Sequence, residues 1–375
     1  MDRIVDRPRR RTRRRFAPVM AILILLALAG CAAIGPAPGG DGADVSEDVP
    51  DVTPAAPPAT SPGPAEAPGA GPVGAAPAGP DLCADLVVTS PGPVGPPARE
   101  VSGAGAVTGR PGAVWLVNDS GSATELIAED GDGTVAGVVD VDGVDPVDIE
   151  DLAVVDGMVY LADIGDNGGT RSTIAVHRVP EPSPDDTGTG PAETLRFRYP
   201  DGPHDAEALL VDPVTHQVVI IPKIVGLGDG DSGRLLGASP APVYVADLPA
   251  AGTTPTEPVE LRRAGTVPLD ELDAATTAPG PTEGRVAELG APGVATGADI
   301  SADGSRLAVR TYRTVWLFPR TAGASVADAL AGPACEAPTA VENQGEAVAF
   351  MDGAGPGFVT VGEGESPRLN LTAPG

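Results

Sequence analysis

Lysine is nearly missing from these 375 residues: Lys223 stands alone among 24 basic side chains. Histidine and cysteine are as sparse, with only His177, His204 and His216, and Cys31, Cys83 and Cys335. So few soft donors leave zinc or copper poorly served, because those metals take Cys and His ligands. Helical periodicity is nearly absent, residues 325–330 alone reading as a helix. There is no Gly-x-Ser-x-Gly elbow, no metal-protease helix and no phosphate-cradling glycine loop, so the usual nucleophile and nucleotide designs drop out.

Basic charge is concentrated at the start. Residues 1–30 hold eight Arg and two Asp, leaving 16 basic against 50 acidic side chains beyond them, a net charge of −34. Such a surface repels nucleic acid and anionic headgroups and favours cations or cationic partners, besides keeping an exported chain soluble. The same thirty residues have the grammar of an export signal: a basic start, an apolar run over 17–30 too short to span a bilayer comfortably, and small residues at its end. Leu28-Ala29-Gly30-Cys31 resembles the lipobox of bacterial lipoproteins, which implies lipidation (palmitate) at Cys31 and a membrane anchor on the extracytoplasmic face. An ordinary signal peptide or an uncleaved anchor is the alternative. Thr12-Arg13-Arg14-Arg15-Phe16 resembles a twin-arginine export motif, against a chance pair in an arginine-rich stretch. Residues 31–80 are nearly all Ala, Pro, Gly and small polar or acidic residues, which bury too little to offset chain entropy. They read as a disordered, proline-stiffened tether.

From residue 81 to 375 short apolar runs alternate with Gly, Pro, Asp and Asn, the pattern of strands and turns. A strand-start motif recurs at Glu100-Val101-Ser102, Asp148-Ile149-Glu150, Asp205-Ala206-Glu207, Gly297-Ala298-Asp299 and Gln344-Gly345-Glu346. Spacings of 48, 57, 92 and 47 residues fit an all-β propeller of five blades. A sixth blade hidden in the long interval, or a β-sandwich, is the alternative. Residues 259–263 are expected as an outer strand of the third blade, and residues 270–291 as a turn-rich excursion. Residues 85–88 are expected to close the ring by completing the last blade. Cys83 and Cys335 are a natural disulfide pair in an exported chain, with two buried thiols as the alternative.

Residues i and i+2 share one side of a strand, so the repeated acids should gather around the channel. Polar clusters follow the second strands: Asn118-Asp119-Ser120-Gly121, Asp163-Ile164-Gly165-Asp166-Asn167, Lys223, Arg310-Thr311-Tyr312 and Glu363-Gly364-Glu365. Antiparallel neighbours put these clusters at the same mouth. Crowded carboxylates require a cation or a proton. Asp148, Glu150, Asp163, Asp166, Asn167, Asp205, Glu207, Asp299 and Glu346 offer the oxygen donors Ca²⁺ takes, with His204 beside Asp205. Asn118, Asp119, Lys223, Arg310, Tyr312 and Glu363 are candidate ligand contacts; Lys223 and Arg310 would hold an anionic group or balance the acids. The competing reading of each acid is a turn cap, or a bond to the next blade's backbone.

Several blocks carry a family resemblance: Trp115-Leu116-Val117-Asn118-Asp119-Ser120-Gly121, Asp148-Ile149-Glu150-Asp151-Leu152-Ala153, Tyr160-Leu161-Ala162-Asp163-Ile164-Gly165-Asp166-Asn167, His204-Asp205-Ala206-Glu207-Ala208-Leu209 and Gln344-Gly345-Glu346-Ala347. Over residues 95–370 the chain resembles a group of exported actinobacterial β-propeller lipoproteins. More remotely, Ser102-Gly103, Asn118-Asp119 and Asp148-x-Glu150 are similar to SdiA-regulated and phytase-like propellers and to gluconolactonase-type calcium propellers. That last likeness implies metal-dependent ester or lactone hydrolysis, although the full ligand set of those enzymes is not matched.

The reading is therefore a membrane-anchored monomer that binds a small-molecule or protein ligand with Ca²⁺ at an acidic channel mouth. One alternative is a metal-dependent phosphoester, lactone or ester hydrolase with Glu150 and Glu207 as catalytic carboxylates. Another is a protein-interaction scaffold without chemistry.

Overall fold

The computed structural model describes residues 82–119, 124–223, 225–227, 235–237, 240–276, 278, 293–351 and 357–375. The export signal, Cys31, the tether, Ser120 and Gly121 lie outside the described residues.

The chain forms five radial blades. β1 (Leu86–Pro93) precedes the first, which is β2 (Val101–Ala106), β3 (Val114–Asn118), β4 (Glu125–Glu129) and β5 (Val135–Asp142). β6 (Ile149–Val155), β7 (Met158–Asp163) and β8 (Ile174–Pro180) begin the second; β9 (Gly188–Pro191) intervenes before its outer strand β10 (Glu193–Arg198). The third is β11 (Ala206–Val211), β12 (Gln217–Pro222), β15 (Ala241–Asp247) and β17 (Arg262–Val267), with a detached hairpin of β13 (Val225–Leu227) and β14 (Leu235–Gly237) after its second strand and β16 (Val259–Glu260) before its outer one. Helix α1 (Leu269–Ala275) leads towards β18 (Ala295–Ile300), β19 (Arg306–Thr311) and β20 (Val315–Pro319), after which α2 (Val326–Leu330) precedes β21 (Cys335–Ala337). β22 (Gly345–Phe350), β23 (Phe358–Gly362) and β24 (Arg368–Pro374) make the fifth blade, completed on its outer edge by β1. The ring thus closes with the N-terminal strand, and the blade count is five.

Local chemistry accounts for these elements. At Asp156-Gly157 both residues have positive φ, 53° and 71°, and Val155 faces Met158. That is the tight turn whose twist matches a hairpin, and glycine supplies it without a steric cost. Side chains of the inner and second strands fill the gaps between neighbouring blades. Leu209, Val218 and Ile220, for example, join Tyr160, Ile174 and Phe197 of the preceding blade in one buried cluster.

Blade edges are covered in a regular way. β9, from the second blade's excursion, pairs in parallel with β5 of the first, and β16, from the third's, with β10 of the second. α2, from the fourth blade's excursion, places Val326, Ala327 and Leu330 in the core shared with Val243 and Val267 of the third. At the next seam the connection is covalent: Cys83, just before β1, is bonded to Cys335 of β21. Covering an edge in this way removes a template for pairing with another chain.

Two expectations require correction. Only Arg262 and Arg263 of the segment 259–263 enter the third blade's outer strand, because Val259 and Glu260 face Phe197 and Arg198 of the second blade. Within 270–291, residues up to Ala275 are helical: buried Asp273 accepts Trp316 Nε1 at 2.8 Å and Gly293 N–H at 2.9 Å, pinning α1 to the fourth blade.

Candidate functional site

Every inner strand carries a bulge near its start, where one residue drops out of the register: Ser102, Glu150, Glu207, Thr296 and Glu346. A bulge bends its strand and re-aims one side chain. Two of these residues are structural: Ser102 Oγ donates to Ile149 O at 3.0 Å, and Thr296 Oγ1 to Gly345 O at 2.7 Å, each a bond to the following blade. The three glutamates line a cavity of about 170 Å³ at the channel mouth, together with Glu100, Ser102, Asp119, Asn167, Lys223, Gln344 and Glu363.

The cavity has two parts. Carboxylate oxygens of Asp119, Asp148 and Glu150 lie within 4.8 Å of one another. Gly165 makes the pairing of the last two possible, since their oxygens occupy the space its Cβ would need. Across from them, Lys223 Nζ contacts Glu207 Oε1 and lies 5.5 Å from the Tyr312 ring centre. Gln344 Nε2 bridges Glu346 Oε1, at 2.9 Å, and Glu363 Oε2. Glu207 Oε2 is buried without a hydrogen-bond partner.

Electrostatics follow from crowding. Burial, then Glu207, Asp119 and Asp148, push the Glu150 carboxyl well above the usual range. Burial and Glu207 do the same to Glu346, and burial raises Glu207 to about 7 against the pull of Lys223. For Lys223 burial works against the ammonium, but Glu207 and Glu346 outweigh it and keep it protonated. One ammonium thus serves several buried or half-buried carboxylates, so this mouth must hold protons or take up a cation.

Several candidates lie elsewhere. Asp299 is three residues beyond Thr296, the true counterpart of Glu150, and lies towards the opposite end of the channel; its oxygens accept Ile300 N–H at 2.8 Å and Phe350 N–H at 2.7 Å. Asp163 is engaged within its own blade: it accepts Asp148 N–H at 2.9 Å and pairs with Arg171 at 3.0 Å. Although burial opposes it, bonds from His177, Asp148 and Arg171 hold its carboxyl below the usual range. Asp166 caps its own loop through Thr170 and Arg171 N–H, and Asp205 accepts Asp166 N–H at 2.7 Å. Asn118 braces residues 97–99, and Arg310 is buried against Glu342 at 2.7 Å. His204 bonds Asp201 and Tyr244 rather than the site.

Asp119, expected as a ligand contact, belongs with the metal-type group, and Glu100 and Gln344 join the wall. Both of those open a strand-start repeat, which was the available signal. Asp151 was overlooked. Its Oδ2 accepts Leu209 N–H at 2.8 Å and Ala298 N–H at 3.2 Å, while Oδ1 accepts Leu152 N–H at 2.8 Å. One carboxylate on the channel axis therefore joins three blades.

No family model matches the chain, and no curated protein matches it in sequence. Solved structures similar to it include the PQQ-bound aldose sugar dehydrogenase of Streptomyces coelicolor, at 15% identity and TM-score 0.42 over 76% of this chain and 98% of that one. The soluble aldose sugar dehydrogenase of Escherichia coli in its apo form gives 12% and 0.40 over 77% and 100%. A luciferin-regenerating enzyme gives 12% and 0.37 over 74% and 78%. Likenesses of this order concern architecture alone, and a propeller hosts many functions.

Proposed function

We propose that this chain is a lipid-anchored, extracytoplasmic propeller that binds a hydrated divalent cation of the Ca²⁺ type at its acidic mouth, and through that cation a small oxygen-bearing group. The observation that carries this reading is the convergence of Asp119, Asp148 and Glu150 oxygens within 4.8 Å. Oxygens about 2.3–2.6 Å from one Ca²⁺ lie at most about 4.6–5.2 Å apart, so a span of this size is compatible with a shared ion. A hard, all-oxygen donor set, with the Asn167 amide in the same wall, suits Ca²⁺ rather than a thiophilic metal. The cavity, about 170 Å³, suits an ion with its waters better than an organic ligand, whose pockets start near 300 Å³. Calorimetric titration of the purified full-length chain with Ca²⁺ should give a heat and a raised melting temperature. Both should be lost in the Glu150→Gln, Glu207→Gln double variant. Absence of heat and of a thermal shift in the wild type removes the cation.

A hydrolytic role at the same place is favoured by Glu207, whose unpartnered Oε2 and carboxyl near 7 are what a proton-transferring group needs. Bound Ca²⁺ would polarise a phosphoester, lactone or ester oxygen. A chelator-sensitive rate on a panel of such chromogenic substrates supports it; chelator-insensitive background rates exclude it. Anchoring rests on Leu28-Ala29-Gly30-Cys31, and Cys31→Ser should move the protein out of the membrane fraction.

A further inference from the structure

The inner strands that begin at the acidic mouth end around a second cavity, at the other end of the channel and of about 480 Å³. Every inner strand or its following turn contributes to it: Ala106, Val154, Pro213, Ile300 and Phe350 stand in its wall, with Met351 beside them. The bonds from Asp151 to Leu209 and Ala298 lie further along the same strands, towards the acidic mouth. This volume falls within the usual range for organic ligands, and its wall combines apolar side chains with the polar ones of Thr108, Asp156, Asp299, Ser301, Asp303 and Arg306.

The polar groups have one sign in excess. Asp299 stands in the wall, 8% exposed, and each of its oxygens accepts a single backbone N–H, so lone pairs remain. Burial raises its carboxyl to about 7, and among the described residues no cationic side chain pairs with it. At the rim, Ser301 and Ser305 hold Asp303 down at about 2, fully ionised, and Asp156 adds a further acid. Arg306, the basic member of this wall, is committed: its guanidinium lies 5.2 Å from the Phe350 ring centre and attracts Asp303. Above neutral pH, or once a cation binds beside it, Asp299 is ionised, and a buried carboxylate beneath apolar walls is complementary to an organic cation and repels an organic anion.

We propose that this second cavity binds a small organic monocation, a primary ammonium on an apolar body, with the ammonium on Asp299 and the body against Val154, Ile300 and Phe350. The site is independent of the cation proposed for the acidic mouth.

The test uses the full-length chain with saturating Ca²⁺ and three probes of similar shape: 2-phenylethylamine, 2-phenylethanol and 3-phenylpropanoate. Binding is read by saturation-transfer NMR and calorimetry. The amine should bind about tenfold or more tightly than the alcohol, and the carboxylate should not bind. Asp299→Asn should erase the preference for amine over alcohol. Ala302→Trp, at an exposed rim position, should block both probes without touching the core. Glu150→Gln with Glu207→Gln should leave amine binding unchanged, and its loss there would place the amine at the acidic mouth and overturn the proposal. Equal binding of amine and alcohol, no binding at millimolar concentration, or amine binding that survives Ala302→Trp overturns it as well.

Discussion

Asp151 Oδ2 accepts the Leu209 N–H at 2.8 Å, tying the second blade's inner strand to the third's on the channel axis. The same oxygen takes Ala298 N–H from the fourth blade, and Asp299 repeats the device by accepting Phe350 N–H from the fifth. Acids on inner strands thus serve two ends: those re-aimed by a bulge face the mouth, and those just beyond it hold blades together.

Asp151→Asn tests the second use. The amide places an –NH₂ where a carboxylate oxygen received N–H groups, leaving at least one buried donor without an acceptor. A cost of about 2–4 kcal/mol is expected, read from guanidinium unfolding. A change within about 0.5 kcal/mol would show that the blades do not depend on this bond.

Stability should fall on either side of a mildly acidic optimum. Asp299 is raised by burial to about 7 when folded, against 3.8 for an ordinary aspartate, so between these values the folded protein keeps a proton that the unfolded chain has released, and stability declines as pH rises. Asp303, held at about 2, works in the opposite sense: its contribution is present above 3.8 and lost as pH falls through 2. Melting temperature followed from pH 2 to 8 should therefore peak at about pH 4, and Asp299→Asn should flatten the decline between 4 and 7. A monotonic rise towards pH 8 would contradict the burial argument.

Lys223 offsets several acids, so Lys223→Met strands the buried Glu207 and should cost about 3–5 kcal/mol. Combining it with Glu207→Gln should recover part of that loss, giving a non-additive cycle. Removing a competing positive charge should also tighten Ca²⁺ about tenfold at low ionic strength. Weaker Ca²⁺ binding in Lys223→Met would mean that the lysine helps to build the site rather than competing with the ion.

The Cys83–Cys335 bond spans 252 residues and stands at a seam where other seams have a covering strand or helix. Cys83→Ala with Cys335→Ala should keep the strand content in circular dichroism but lower unfolding stability by roughly 2–5 kcal/mol. An unchanged guanidinium midpoint would show the clasp to be redundant.

Much of the site was legible, and its errors have one origin. Glu150, Glu207 and Glu346 were found because each follows its polar partner by two residues at the start of an apolar run. In the fourth repeat the motif falls on Gly297-Ala298-Asp299, although the residue that drops out of register there is Thr296. A threonine carries no charge to draw attention, whereas Asp299, three residues on, resembles the motif. Asp163 and Asp166 show the same ambiguity: an aspartate can ligate an ion or cap a turn, and here Arg171, His177 and nearby backbone N–H groups engage both.

By itself the sequence determined the strands, their turns, the five-fold repetition and the closing strand, because alternation and turn chemistry act between residues near in the chain. Which acids share a cavity, which join blades, and where a second cavity opens were decided only by tertiary structure. Those outcomes depend on bulge register and on hydrogen bonds between blades, such as Asp151 to Ala298 across 147 residues, to which no local pattern is sensitive.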